Sequence, residues 1–160
     1  MSRRNGQQGF SMIELLVVLS ILGVLVRMSL PALANMRREA VAADAVGDFN
    51  VIRAAAVSQF EATGSYPADG AAGQVPPGMA PFLPSGFEFT RKDYQLDWDH
   101  WTIADSTGGA QTDYVLAVTI VAPDEMLHRQ LLSTLGSNCT HWTVDDASTF
   151  VVMSSLEARH

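Results

Sequence analysis

FSMIELLVVLSILGVLVRMSLPAL, residues 10–33, carries two charges in its whole length, Glu14 and Arg27. Wound as a helix at about 1.5 Å per residue, such a stretch is long enough to cross a hydrocarbon core of about 30 Å. Its uninterrupted apolar part, Leu15 to Val26, is shorter than that, so crossing requires both charges to be accommodated. Arg27 lies near one end, where a guanidinium can snorkel to the headgroups. Glu14 lies near the other. Ahead of the stretch, residues 1–9 (MSRRNGQQG) hold no apolar side chain after the initiator but carry Arg3 and Arg4. By the positive-inside rule these place the N-terminus in the cytoplasm and the residues beyond about 34 outside.

Three processing patterns fit an apolar segment so close to a terminus. Ala32-Leu33-Ala34 is an A-x-A pattern after the apolar run, as in a cleavable signal peptide that would release a soluble periplasmic domain after Ala34. A carboxylate at the start of the run and an arginine inside it are foreign to that pattern. A plain signal anchor leaves Glu14 unexplained, because a lone carboxylate entering the bilayer costs about 2.5–3.5 kcal/mol on insertion scales. The third pattern explains it.

Gly9-Phe10-Ser11-Met12-Ile13-Glu14-Leu15 followed by an apolar run resembles the class III leader of type IV prepilins and type II secretion pseudopilins. The resemblance is specific over Gly9–Asn35, extends as far as Pro67, and is weak beyond. It implies removal of residues 1–9 by a prepilin peptidase between Gly9 and Phe10, followed by N-methylation of Phe10. Glu14, Gly23 and Pro31 fall where the family has its glutamate and where many members have a glycine and a helix-bending proline. Arg27 departs from the family, which is apolar or small there. The resemblance further implies a contact between Glu14 and the Phe10 amine of an adjacent subunit. Physically, cleavage exposes an α-amino group with a reference pKa of about 7.7–8.0 beside four unpaired helical N–H groups. A cation so placed on one chain offsets a buried carboxylate on the next. Implied partners are other pilin-like subunits in a homo- or hetero-polymer, the prepilin peptidase/methyltransferase, an inner-membrane assembly platform, and lipid before assembly.

The rest of the chain supplies a stalk and a head. Residues 34–63 contain no proline and one glycine, and Val46, Phe49, Ile52, Ala56 and Phe60 recur at intervals of three and four. They predict an amphipathic continuation of the first helix, bent at Pro31, whose stripe the C-terminal domain covers. Gly64-Ser65-Tyr66-Pro67 is a stop signal. Residues 64–86 hold five of the seven prolines and predict an irregular loop. Phe87–Ile103, with Tyr94, Leu96, Trp98 and His100 alternating against Gln95, Asp97, Asp99 and Trp101, predicts a half-buried strand. Tyr114–Ala122 predicts a second strand, Asp124–Leu135 a helix ended by Gly136, and His141–Val144 with Thr149–Ser154 a final hairpin. The expected fold is α+β and pilin-like: residues 10–33 a transmembrane assembly helix, 34–63 its amphipathic continuation, and 64–160 a periplasmic head with a small antiparallel sheet.

Composition narrows the function. The 160-residue chain is 48% apolar and 17% charged with a net charge of −7, which excludes a disordered tail or a collagen-like repeat. From Gly64 onward twelve acids stand against four bases, so no basic patch for nucleic acid is visible. The single cysteine, Cys139, closes no intrachain disulfide and reads as a small buried residue. No G-x-S-x-G, H-E-x-x-H, Walker or paired C-x-x-C motif occurs, and no enzymatic role is expected. His100 and His141, each beside a tryptophan, read as partly buried strand residues. Asp97 and Asp99 share a strand face, and Asp105 and Asp113 bracket the following turn. Such oxygen ligands suit Ca²⁺, although not at EF-hand spacing, and some pseudopilins carry calcium in their C-terminal sheet. The expected function is a pseudopilin of type II secretion, anchored singly in the inner membrane and then assembled into a filament. The alternative is a major or minor type IV pilus pilin. The absence of a cysteine pair near the C-terminus disfavours an ordinary major pilin.

Overall fold

The computed structural model describes residues 11–104, 112–136, 140–145 and 147–156. Along them run α1 (Met12–Thr63), a 3-10 turn (Ala80–Phe82), β1 (Gln95–Ala104), β2 (Thr112–Val121), α2 (Glu125–Leu135), β3 (Thr140–Asp145) and β4 (Ser148–Leu156). The leader, the cleavage residues Gly9 and Phe10, and Asp105, Cys139 and Asp146 lie outside the described residues. Chain contacts divide the protein into two units, Met1–Arg37 and Arg38–His160. Pro31 sits inside α1.

In the second unit the four strands form one antiparallel sheet in the order β1-β2-β4-β3. Two hairpins build it, and α2 carries the chain past β4 so that β3 lands on the far edge. Alternation along β1 is as the sequence predicts: Tyr94, Leu96 and Trp98 are buried, Gln95 and Trp101 exposed. Opposite Leu96, Trp98 and His100 in register, Ile120, Val118 and Leu116 of β2 face the same way and extend the apolar layer. Leu127, Leu131 and Leu135 of α2, with Val151 of β4, complete the core. Asp124 caps α2 by accepting from the Met126 amide at 3.0 Å, and Arg38 Nε holds the same carboxylate at 2.9 Å. Gly136 ends α2 at φ 58°, a left-handed backbone that favours glycine.

Two local expectations are corrected. The buried stripe of α1 is Ala42, Ala45, Phe49, Ile52, Ala56 and Gln59, with Ala55 beside it. Val46 is only partly buried, and Phe60 is 43% exposed. Phe49, Ile52 and Ala56 lie on the buried stripe as expected, and the stripe runs on through Ala42 and Ala45, which carry little hydrophobic weight in a sequence pattern, rather than through Val46 and Phe60. Phe60 instead stacks on Tyr66 with centroids 4.5 Å apart.

The strand expected over Phe87–Ile103 begins only at Gln95. Residues ahead of it fold back, with Arg91 donating its amide to the Tyr94 carbonyl and Leu96 to that of Phe89. The glycine-rich loop then covers the free edge of β1, Gly73 donating to the Leu96 carbonyl at 2.8 Å. Covering an edge in this way blunts its use as a template for another strand near Leu96. Gly73 itself has φ 77°, and a Cβ there would meet Thr90 Oγ1 at 2.5 Å. Pro67 is buried, and its carbonyl accepts from Trp98 Nε1 at 3.1 Å and from His100 Nδ1 at 2.9 Å.

Candidate assembly helix and acidic sheet face

Ser11 opens α1. Its hydroxyl accepts from the Ile13 amide at 3.4 Å and its carbonyl from the Leu15 amide at 3.2 Å, the pattern of an N-cap residue. Glu14 lies in the first turn, where the positive end of the helix dipole favours a carboxylate. Around and beyond it, the large apolar side chains from Met12 to Met36 are 47% to 93% exposed. The helix is long and apolar enough to cross a membrane, and none of its most apolar window is buried. The two serines in the run hide their polarity: Ser20 Oγ donates to the Leu16 carbonyl at 2.8 Å and Ser29 Oγ to that of Leu25 at 2.9 Å. Both therefore suit an apolar surrounding. A Cβ on Gly23 would meet nothing within 4 Å, so no contact among the described residues requires a glycine there. Sequence reasoning passed over Ser11, although a serine just ahead of a helical apolar run is a recognised start signal.

On the head, Asp97 and Asp99 lie on the sheet face turned away from the core. Asp99 accepts from the Thr119 hydroxyl across the strand pair. Asp97 Oδ1 is buried with no hydrogen-bond partner. Burial, then the charges of Asp99 and Asp69, push the Asp97 carboxyl up to about 6. Burial also raises Asp99, against the opposing bond from Thr119. Asp113 stands opposite Ile103 in the β1–β2 register, four residues along from Asp99 and six from Asp97. At about 3.3 Å per residue that places it about 13 and 20 Å away along the strand, whereas Ca²⁺ needs its oxygens within about 2.3–2.6 Å. The backbone register thus sets Asp113 apart from Asp97 and Asp99 along the strand, and Asp105 lies outside the described residues. Among the described residues no group of three or more His, Cys, Asp or Glu is placed to hold a metal.

His100 and His141 are half-buried on their strands, as expected. The histidine that sequence reasoning missed is His128 of α2, which is fully buried. Its Nε2–H donates to the Ala122 carbonyl at 3.0 Å, and Nδ1 lies 2.6 Å from Thr149 Oγ1. It ties α2 to β4 and to the end of β2. Only its place on the Leu127–Leu131 face of α2 hinted at burial.

A wide groove of about 550 Å³ lies between α1 and the 91–94 turn, lined by Asp44, Gly47, Asp48, Arg91, Lys92 and Tyr94 among others. Its charges largely satisfy one another: Arg91 grips Asp48 through Nε and Nη2, both at 2.8 Å, and Tyr94 donates to the same carboxylate at 2.7 Å. That arrangement fastens a turn to a helix.

No curated protein and no solved structure matches the chain. Residues 4–26 match the prokaryotic N-terminal methylation motif, which together with the exposed apolar helix and the antiparallel sheet supports a type IV pilin-like protein.

Proposed function

We propose that this chain is a pseudopilin, a structural subunit that polymerises through α1 into a type II secretion pseudopilus driving protein export across the outer membrane. The observation that carries the reading is the coincidence of the methylation motif over residues 4–26 with a helix whose large apolar side chains from Met12 to Met36 are exposed among the described residues and whose first turn holds a single acid. The peptidase cuts between Gly9 and Phe10, and Phe10 is then methylated. The leader stays in the cytoplasm, α1 is held in the inner membrane, and the head faces the periplasm until an assembly platform extracts the subunit.

In the polymer, Glu14 of one subunit pairs with the Phe10 amine of the next. This contact sets the axial register of each incoming subunit, because an uncompensated carboxylate in an apolar bundle is expensive. The acidic region from Gly64 onward supports a filament role over nucleic-acid binding. Glu14→Leu tests the contact. Cleavage should remain at wild-type level while incorporation into sheared filaments is lost or strongly reduced. Wild-type incorporation would remove Glu14 from assembly.

A further inference from the structure

Arg27 interrupts the apolar face of α1 thirteen residues beyond Glu14, about 20 Å along the helix. Two features of the same level call for a polar surrounding. The first is the guanidinium, a cation with five donors and no acceptor. The second is backbone: Pro31 lies inside α1 and has no amide hydrogen to give the carbonyl four residues earlier, which is that of Arg27 itself. In hydrocarbon both groups would go unsatisfied. Between Glu14 and Arg27 the one polar side chain, Ser20, manages without water by bonding back to the Leu16 carbonyl.

We propose that Arg27 marks the level at which α1 leaves the hydrocarbon core, held there by phospholipid phosphate, so that Met28, Leu30, Leu33 and Met36 stand beyond the bilayer core. This rests on the membrane-anchor reading above. Helical Cβ atoms lean towards the N-terminus, here towards the membrane interior, so Arg27 gains little upward reach by snorkelling and its backbone must sit close to the phosphates. From Ser11 to Arg27 the helix then rises about 24 Å, less than the usual core of about 30 Å, and local thinning of the bilayer absorbs the difference. The phosphates supply the charge complement: a planar guanidinium binds them bidentately. The four large apolar side chains beyond, each 61% to 72% exposed, are left in the headgroup layer or above it. They form a surface that lipid tails do not cover.

The test uses the full chain with Cys139→Ser, reconstituted at high lipid dilution in phosphatidylethanolamine/phosphatidylglycerol vesicles, so that copies do not cover one another. Single substitutions Val18→Cys, Leu30→Cys and Leu33→Cys are labelled with a membrane-impermeant maleimide on the side bearing the head. Val18→Cys should stay protected while Leu30→Cys and Leu33→Cys react. Adding Arg27→Leu should slow labelling of Leu30→Cys at least several-fold as the helix sinks, and Arg27→Lys should restore most of it. Protection of Leu30→Cys and Leu33→Cys equal to that of Val18→Cys, or labelling indifferent to Arg27→Leu, overturns the proposal while leaving the anchor intact. Ready labelling of Val18→Cys overturns the anchor, and this level with it.

Discussion

The Asp48 carboxylate of α1 receives three hydrogen bonds from one turn: two from the Arg91 guanidinium at 2.8 Å and one from the Tyr94 hydroxyl at 2.7 Å. Asp48 retains 14% of its side-chain exposure and Arg91 33%, and the guanidinium also lies 4.9 Å from the Phe87 ring centre. The contact joins residues 43 apart in sequence and fixes the turn that launches β1. Burial and the bond to Asp48 hold the Tyr94 hydroxyl well above its ordinary range. Asp48→Ala should destabilise the detergent-solubilised chain by about 2 kcal/mol, the scale for removing a charge-assisted pair that is largely shielded from solvent. Asp48→Asn should recover part of this, since an amide oxygen still accepts from Tyr94. Denaturant midpoints of the two variants check it, and equal losses would mean that charge alone carries the contact.

Asp97 makes stability depend on pH in the direction opposite to most carboxylates. Its folded-state value of about 6 exceeds the ordinary 3.8, so the folded chain holds the proton that the unfolded chain has released. The protonated state's contribution is complete below about pH 4 and is lost as pH rises through about 6. Asp97→Asn should therefore stabilise the head at pH 7.5, by up to about 1 kcal/mol after allowance for solvent screening, and change little at pH 4. Thermal melts at the two pH values measure it. Added Ca²⁺ and EDTA belong in the same series: a calcium-dependent rise in the melting temperature of the wild type, abolished by Asp97→Asn, would show that an ion satisfies this carboxylate.

His128→Leu keeps the apolar packing of α2 but leaves the Ala122 carbonyl and the Thr149 hydroxyl without their partner. A loss of about 1–3 kcal/mol is expected, the penalty for stranding buried polar groups. Thr149→Val strands His128 Nδ1 in turn. Because the two residues share one bond, the double variant should lose less than the sum of the single ones. Strict additivity in chemical denaturation would mean that the 2.6 Å contact contributes no coupling.

Much of this architecture was written in periodicities that survive without tertiary context. The apolar run of α1, the alternation from Tyr94 to Trp101 and the Leu127–Leu131–Leu135 face each follow one rule, and each folds accordingly. Where two rules compete, sequence reasoning slips. The stripe of α1 keeps Phe49, Ile52 and Ala56 but takes in Ala42 and Ala45, whose small side chains give a sequence pattern little to read. Phe87 and Phe89 look like strand residues, but the pull of Arg91 on Asp48 turns the chain before β1 begins. The acidic face was legible as a charge pattern. Its separation from Asp113 was not, because that depends on strand register, which no local pattern states. The N-terminal methylation motif was the most legible part, since it is written in one linear segment, residues 4–26.

The N-terminal residue of the chain purified from membranes of a host with an active prepilin peptidase tests the central claim most directly. Peptide mass spectrometry should find a chain that begins at Phe10 and carries one added methyl group on its amine. A chain still bearing Met1-Ser2-Arg3-Arg4, or one beginning at Asn35, would contradict it, because Glu14 would then have no neighbouring amine to meet.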